Sequence, residues 1–364
     1  MKRRIGMLTS GGDCPGLNAA IRGVAKAAYE LFDAQIIGFA DGYKGLIYGE
    51  YTRMKPEDFA GILTQGGTIL GTSRQPFKKM KVVGDDNVYK PEAMKKNYKK
   101  LGLDCLVVLG GNGTHKSANM LRQEGLNVIG LPKTIDNDIY GTDVTFGFHT
   151  AVDIATEVLD RIHSTAHSHG RVMVVELMGH KAGWLTLYAG VAGGADVILI
   201  PEIPYRIENV IDAIEKRSAK GKHFSILAVA EGAMSEKEAG MKKKEFKALR
   251  QEMPYMSVSY RIAAQVQEMT GMETRVTVPG HIQRGGNPSP YDRVLSTKFG
   301  TYAARLIAEE QYGCMVALQD GEFTAVPLEE VAGRLKLVEP DHQLIRAGRM
   351  IGIGFGDNDA LSLD

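Results

Sequence analysis

Uninterrupted apolar runs alternate with amphipathic stretches along much of the chain. Arg4–Thr9, Gln35–Phe39 and the strongly apolar Asp104–Leu109 read as strands, and Asn127–Leu131 as a buried one. Ala20, Ile21, Val24, Ala25, Ala28 and Leu31 recur near the helical period, and a second helix is expected to run on through Glu124. From Phe148 one stripe holds Ala151, Val152, Ala155, Val158, Leu159 and Ile162, the pattern of a long helix packed on a core. The segment Ser164–Arg171, with His167 and His169, is expected as a loop. The alternation then restarts: strand 172–177, helix 185–192, strand 196–200, helix 208–219 and strand 223–230. Ala233–Tyr255, carrying Lys242, Lys243 and Lys244, is expected as a charged surface excursion, followed by a helix over about 257–268 and a short strand 274–278. The lysine-rich residues 78–100 suit a solvated helix face, and Gly352–Asp357 a loosely packed tail. Strand and helix alternate twice over, which predicts two α/β domains.

Composition narrows the class without choosing a function. At 364 residues the chain exceeds one comfortable core. Hydrophobic residues at 44% and charged residues at 24% are ordinary for a globular protein, and a net charge of +1 gives no bulk attraction to nucleic acid or membrane. Cys14, Cys105 and Cys314 are too few and too scattered for a disulfide framework, and no Cys/His spacing suits a metal. Met1–Gly6 lacks the apolar stretch of a signal peptide, so a cytoplasmic protein is expected.

What changes the picture is where the glycines and carboxylates fall. Ser10–Gly16 follows the first strand and precedes a helix, and Gly110–Thr114 does the same after the strand ending at Leu109. Backbone N–H groups at such a helix N-terminus bind phosphate, and glycine lets a polyphosphate approach closely. Gln65–Arg74 is a third glycine-rich stretch ending in a cation. The stretch Leu131–Gly141 places Asp136 and Asp138 beside Thr134 and Lys133 at a strand's end, where one carboxylate can take an alcohol proton and another help hold Mg²⁺. Arg275, His281 and Arg284 flank a short strand and suit a dianionic phosphate. Alone, each has a bland reading: a tight turn, a solvated Asx-turn or a surface salt bridge.

Taken together, Thr9–Gly16, Gly110–Thr114, Pro132–Asp138, Val175–Gly179 and Gly280–Gly286 make the chain resemble the bacterial-type 6-phosphofructokinase family over nearly its whole length. The resemblance implies two Rossmann-like three-layer αβα domains with a cleft between them. A nucleotide-binding domain would hold residues 1–147 plus about 283–333, and a fructose 6-phosphate domain 148–282 plus about 334–364. It implies transfer of the γ-phosphoryl of MgATP to the 1-hydroxyl of fructose 6-phosphate, a step of glycolysis. Asp136 would be the general base, Thr134 would contact the reacting groups, and Asp138 and Asn112 would lie by Mg²⁺. ATP would lie against Gly11, Arg74, Gln75, Gly111, Asn112, Gly113 and Thr114. The sugar phosphate would meet Thr134, Ile135, Asp136, Met178, Gly179, His180, Glu231, His281, Ile282, Gln283 and Arg284. Arg171 and Arg275 would reach it from a neighbouring subunit of a homotetramer.

Three positions depart from the family's pattern. Asn112 stands where ATP users carry a magnesium-contacting aspartate, and His180 where an arginine is common. Lys133 is the residue of pyrophosphate users, whereas Gly113 leaves room for a nucleotide where those carry aspartate, so Gly113 decides for ATP. Pyrophosphate is the alternative donor. An NAD-kinase-like phosphotransferase would lack the 280–286 clamp, and a non-catalytic sugar-phosphate sensor would not need Asp136 and Asp138. Arg22 and Lys26 keep charge at a family effector site, but His163 is altered there, so weak or absent activation by ADP is expected.

Overall fold

The computed structural model describes residues 2–83 and 87–358. In chain order its strands and α-helices are β1 (Arg3–Ser10), α1 (Leu17–Leu31), β2 (Ala34–Phe39), α2 (Tyr43–Tyr48), β3 (Tyr51–Met54), α3 (Lys90–Leu101), β4 (Cys105–Gly110), α4 (Asn112–Gln123), β5 (Val128–Pro132) and α5 (Phe148–His169). Then come β6 (Val172–Leu177), α6 (Trp184–Ala192), β7 (Val197–Leu199), α7 (Ile207–Ala219), β8 (Ser225–Ala230), α8 (Glu236–Ala239), α9 (Lys243–Glu252), α10 (Val258–Thr270) and β9 (Thr274–Thr277). The last elements are α11 (Pro290–Ala308), β10 (Cys314–Gln319), β11 (Glu322–Pro327), α12 (Leu328–Val331) and α13 (Gln343–Met350).

Two units result: Met1–Thr150 with Arg284–Lys336, and Ala151–Gln283 with Leu337–Asp364. Of the expected second domain, residues 359–364 lie outside the described residues. The first unit is built on a seven-stranded sheet in the order β11-β10-β5-β4-β1-β2-β3. Its five inner strands are parallel and its two outer ones antiparallel. All six residues of β4 are buried, which is why an unbroken apolar run rather than an alternating one encodes it. Helices α1 and α11 cross so closely that a Cβ on Gly300 would lie 2.4 Å from the Ala20 carbonyl, and a Cβ on Gly23 2.8 Å from that of Thr297. The second unit has a four-stranded parallel sheet, β7-β8-β6-β9, with Val172, Val174, Leu199, Leu227, Val229 and Ile262 in its core. Among the described residues no helix is long and apolar enough to cross a membrane.

Three expectations are corrected. The Ser164–Arg171 loop is helical as far as His169, because buried Ala166 continues the apolar stripe of α5 and the rings of His163 and His167 meet Phe224 edge-on. The charged excursion 233–255 forms α8 and α9, and its Glu238 is buried, paired with Arg250 and Arg261 at 2.8 and 2.7 Å. Burial alone would raise the Glu238 carboxyl, but the Arg261 guanidinium foremost, then the Ser235 N–H and Arg250, bring it down to about 2. The C-terminal stretch is tied down rather than loose. Gly354 pairs with Val197 of β7, and Phe355 is buried.

Candidate active site

In the first unit the site begins with strand register. Ser10 of β1 lies opposite Gly110 of β4, and Gly110 opposite Pro132 of β5. Three parallel strands thus end in one row, and each passes at once into a loop the sequence singled out. The chain runs from β1 outward to β2 on one side and returns to β4 on the other. The row therefore sits at the reversal of strand order where α/β sheets bind ligands.

After β1, Gly11 turns with φ +90°, a conformation that favours glycine, and its N–H donates to the Ser73 carbonyl at 3.1 Å. Arg74 and Gln75 follow on that neighbouring loop, Arg74 exposed and Gln75 half-buried. After β4, Gly111 caps α4 without any side-chain cap, so N–H groups of the first turn are left for a ligand. A Cβ on Gly113 would meet nothing within 4 Å, which leaves open space over the helix end. Thr114 is buried, its hydroxyl 3.4 Å from the Ser10 carbonyl. Asn112 is partly engaged: its amide nitrogen donates to the Arg334 carbonyl.

His115 was not singled out by any pattern. It is fully buried, and its Nδ1 lies 2.9 Å from the Gly111 carbonyl, which also accepts from the Thr114 and His115 backbone N–H groups. Burial pushes its imidazole down to about 4, so it is neutral and Nδ1 donates. Holding that carbonyl toward the helix turns the N–H of the same peptide unit, that of Asn112, away from it and outward.

The loop after β5 is the most tightly tied of the three. Lys133 is buried, and its ammonium donates to the Gly12 carbonyl, bridging the β5 and β1 loops. Burial holds it below the ordinary lysine value, opposed by Asp136 and Asp13 among its neighbours. Asp136 N–H donates to Thr134 Oγ1 at 3.1 Å, and the Thr145 hydroxyl donates to the Thr134 carbonyl at 2.7 Å. Ile135 is buried, so only its backbone is available. Asn137 adopts φ +52° and accepts from the Thr145 N–H at 3.0 Å. Asp138 is buried; burial and the adjacent Asp136 push its carboxyl up to about 6, against the pull of Lys336 and Lys133. Arg284 also belongs to this unit, its guanidinium against Gly12, where a Cβ would lie 3.2 Å from Cζ.

In the second unit β6 ends at Leu177, and Met178, Gly179 and His180 form a turn with φ +142° at Gly179 and +52° at His180. His180 N–H donates to Glu231 Oε1 at 2.8 Å, and Glu231 N–H to the Leu177 carbonyl at 2.8 Å, so these residues converge. Gln283 is fully buried: it accepts from Met178 N–H at 3.2 Å and donates to the Gly280 carbonyl at 3.0 Å. Its amide therefore shapes the turn that carries Met178 and Gly280. His281 and Ile282 are exposed. Arg171 and Arg275 share one carboxylate, that of Glu273 just before the edge strand β9, with Arg171 Nε at 2.7 Å. Their hydrogen bonds and charge, Arg171 first, hold that carboxyl below its ordinary value.

Among the described residues no three His, Cys, Asp or Glu side chains gather as a metal cage. One buried carboxylate beside an open phosphate cradle is the arrangement Mg²⁺ uses, since it takes most of its ligands from phosphate and water.

A model of the phosphofructokinase family matches residues 4–307. The chain belongs to the phosphofructokinase family. Among similar phosphofructokinases, the ATP-dependent 6-phosphofructokinase of Spirochaeta thermophila is 62% identical over 358 residues, with 98% of each chain covered. ATP-dependent 6-phosphofructokinase 3 of Bacteroides thetaiotaomicron is 52% identical, covering 97% of this chain and 100% of that one. Phosphofructokinase from Saccharomyces cerevisiae matches with a TM-score of 0.79 at 31% identity. That match spans 91% of this chain and 45% of the longer yeast chain.

Proposed function

We propose that this chain transfers the terminal phosphoryl group of MgATP to the 1-hydroxyl of fructose 6-phosphate, giving ADP and fructose 1,6-bisphosphate. The observation that carries the reading is the row Ser10, Gly110 and Pro132, which puts a glycine cradle and a carboxylate loop side by side. Phosphoryl transfer needs positioning and charge neutralisation more than covalent chemistry. N–H groups of Gly111, Asn112 and Gly113 hold the polyphosphate, which lies against the Gly11 turn, with Thr114, Arg74 and Gln75 bordering the nucleotide. Asp136 accepts the proton leaving the sugar hydroxyl, and Thr134, bonded to the Asp136 N–H, fixes its approach. Asp138, the donor's phosphate oxygens and Asn112 would hold Mg²⁺, which supplies charge neutralisation at the transferring group. Met178, Gly179, His180, Glu231, His281, Ile282 and Arg284 bind the sugar phosphate. Arg171 and Arg275 come from a neighbouring subunit of a cytoplasmic homotetramer.

Lys133 supports a second donor, pyrophosphate, because a buried ammonium at Gly12 suits a small compact anion. Open space at Gly113 supports ATP, whose α-phosphate an aspartate there would repel. A donor comparison with fructose 6-phosphate tests the reading: product from ATP, with little from pyrophosphate or ADP, is expected. Product from pyrophosphate alone reverses the donor, and no product from any donor overturns the activity.

A further inference from the structure

The carboxylate loop is closed by a residue 199 positions further along the chain. Lys336, the last residue of the first unit, donates from its ammonium to Asn137 Oδ1 at 3.1 Å, to the Thr142 carbonyl at 2.9 Å and to the Asp143 carbonyl at 2.7 Å. Its backbone N–H donates to the Asp138 carbonyl at 3.0 Å. An ammonium has three donors, and here three oxygens from the two ends of one arch receive them. Asn137 lies between the two carboxylates in the left-handed region, so fixing its side chain fixes how the backbone presents both neighbours. All three acceptors are neutral carbonyl oxygens, and burying an ammonium among them costs free energy that an apolar side chain would not incur, only partly offset by the nearby Asp143 and Asp138 carboxylates. Leu335 already pairs its backbone with Ile139, so the segment is attached to the loop without the ammonium. The charged head therefore does something the backbone contact does not.

We propose that Lys336 is a positioning residue for phosphoryl transfer: its ammonium closes the arch from Asn137 to Asp143 and thereby aims Asp136 and Asp138. This rests on the reading of Asp136 as the proton acceptor. Small displacements of a reacting group cost turnover far more than ground-state binding, so the effect falls on kcat.

The test compares full-length Lys336→Met and Lys336→Arg with the natural chain. It reads kcat, KM for both substrates, the unfolding midpoint, and amide hydrogen exchange at Asp136 and Thr145. Lys336→Met is expected to lower kcat about 100-fold, to leave both KM values nearly unchanged and to speed exchange at Thr145. Lys336→Arg, which keeps the charge and several donors in a different shape, recovers part of kcat. A Lys336→Met kcat within about twofold of the natural value, with exchange unchanged, overturns the proposal. Equal losses in both variants, tracking a collapse of the unfolding midpoint, also overturn it by reducing Lys336 to a structural role. If the natural chain phosphorylates no sugar, the activity reading fails by itself. The exchange rates then still decide whether Lys336 orders the loop.

Discussion

The loops at the end of the first unit's sheet and those in the second unit solve the anion problem differently. At Gly111–Gly113, beside the Gly11 turn, phosphate would meet backbone N–H groups and open space, and the side chains around them are already tied: Lys133 to Gly12, Asn112 to Arg334, His115 to Gly111. In the second unit the anion would meet side chains. Arg171 and Arg275 are held by Glu273, and His180, Glu231 and His281 are exposed. A preorganised backbone cradle is ready for any polyphosphate without rearrangement. The arginine pair must exchange one carboxylate for another anion, so its gain on binding is a difference between two ion pairs. The first arrangement should govern turnover and donor choice, and the second should govern sugar-phosphate affinity.

The largest effect should come from Asp136→Asn. It keeps the shape and removes the proton acceptor, so kcat is expected to fall about 10²–10⁴-fold while fructose 6-phosphate binding, measured by calorimetry, is preserved. Gly113→Asp should raise KM for ATP at least about tenfold through repulsion of the polyphosphate. Its unfolding midpoint should hold, because the added Cβ meets nothing. An unaffected KM would break the assignment of the cradle. Arg171→Ala and Arg275→Ala should each raise KM for fructose 6-phosphate several-fold with KM for ATP unchanged. Glu273→Gln should lower KM for fructose 6-phosphate by releasing both arginines. If the Glu273 variant instead weakens sugar binding, the carboxylate orders the arginines rather than competing for them.

The smallest expected effect on activity comes from Glu238, which lies outside both sites. Its folded-state carboxyl sits near 2 against an ordinary 4.5, so its contribution is fully present above about pH 4.5 and is lost as pH falls toward 2. Acid unfolding followed by circular dichroism should show an early loss of the second unit, and Glu238→Gln should remove that pH dependence. At pH 7 the same variant should lose about 3 kcal/mol of stability by leaving Arg250 and Arg261 without their buried partner. Its kcat should remain close to that of the natural chain.

Legibility followed the range of the interactions involved. Gly11 and Gly113 were visible because a left-handed turn and an open helix end both favour the absence of a side chain, a local requirement written in one residue type. Strands β1, β4 and β5 were visible because burial on both faces forces an apolar run. The hairpin β10–β11 was not: Glu322–Pro327 is largely half-exposed and carries no period that separates it from a loop. Helix α5 outran its expected end because histidines broke an apolar pattern while still packing on Phe224. Lys336 and His115 escaped for a different reason. Each acts on a peptide group, and nothing in a neighbouring residue type announces that a carbonyl needs a donor.

The central claim is that the donor's phosphates rest on the row formed by the ends of β1 and β4, beside the loop of Asp136. Amide resonances of the labelled protein, followed while a non-hydrolysable ATP analogue is added, test it directly. Large shifts at Gly11, Asn112 and Gly113, with Asp136 perturbed and α7 silent, are the predicted result. Saturable binding that leaves Gly11, Asn112 and Gly113 unmoved would contradict it.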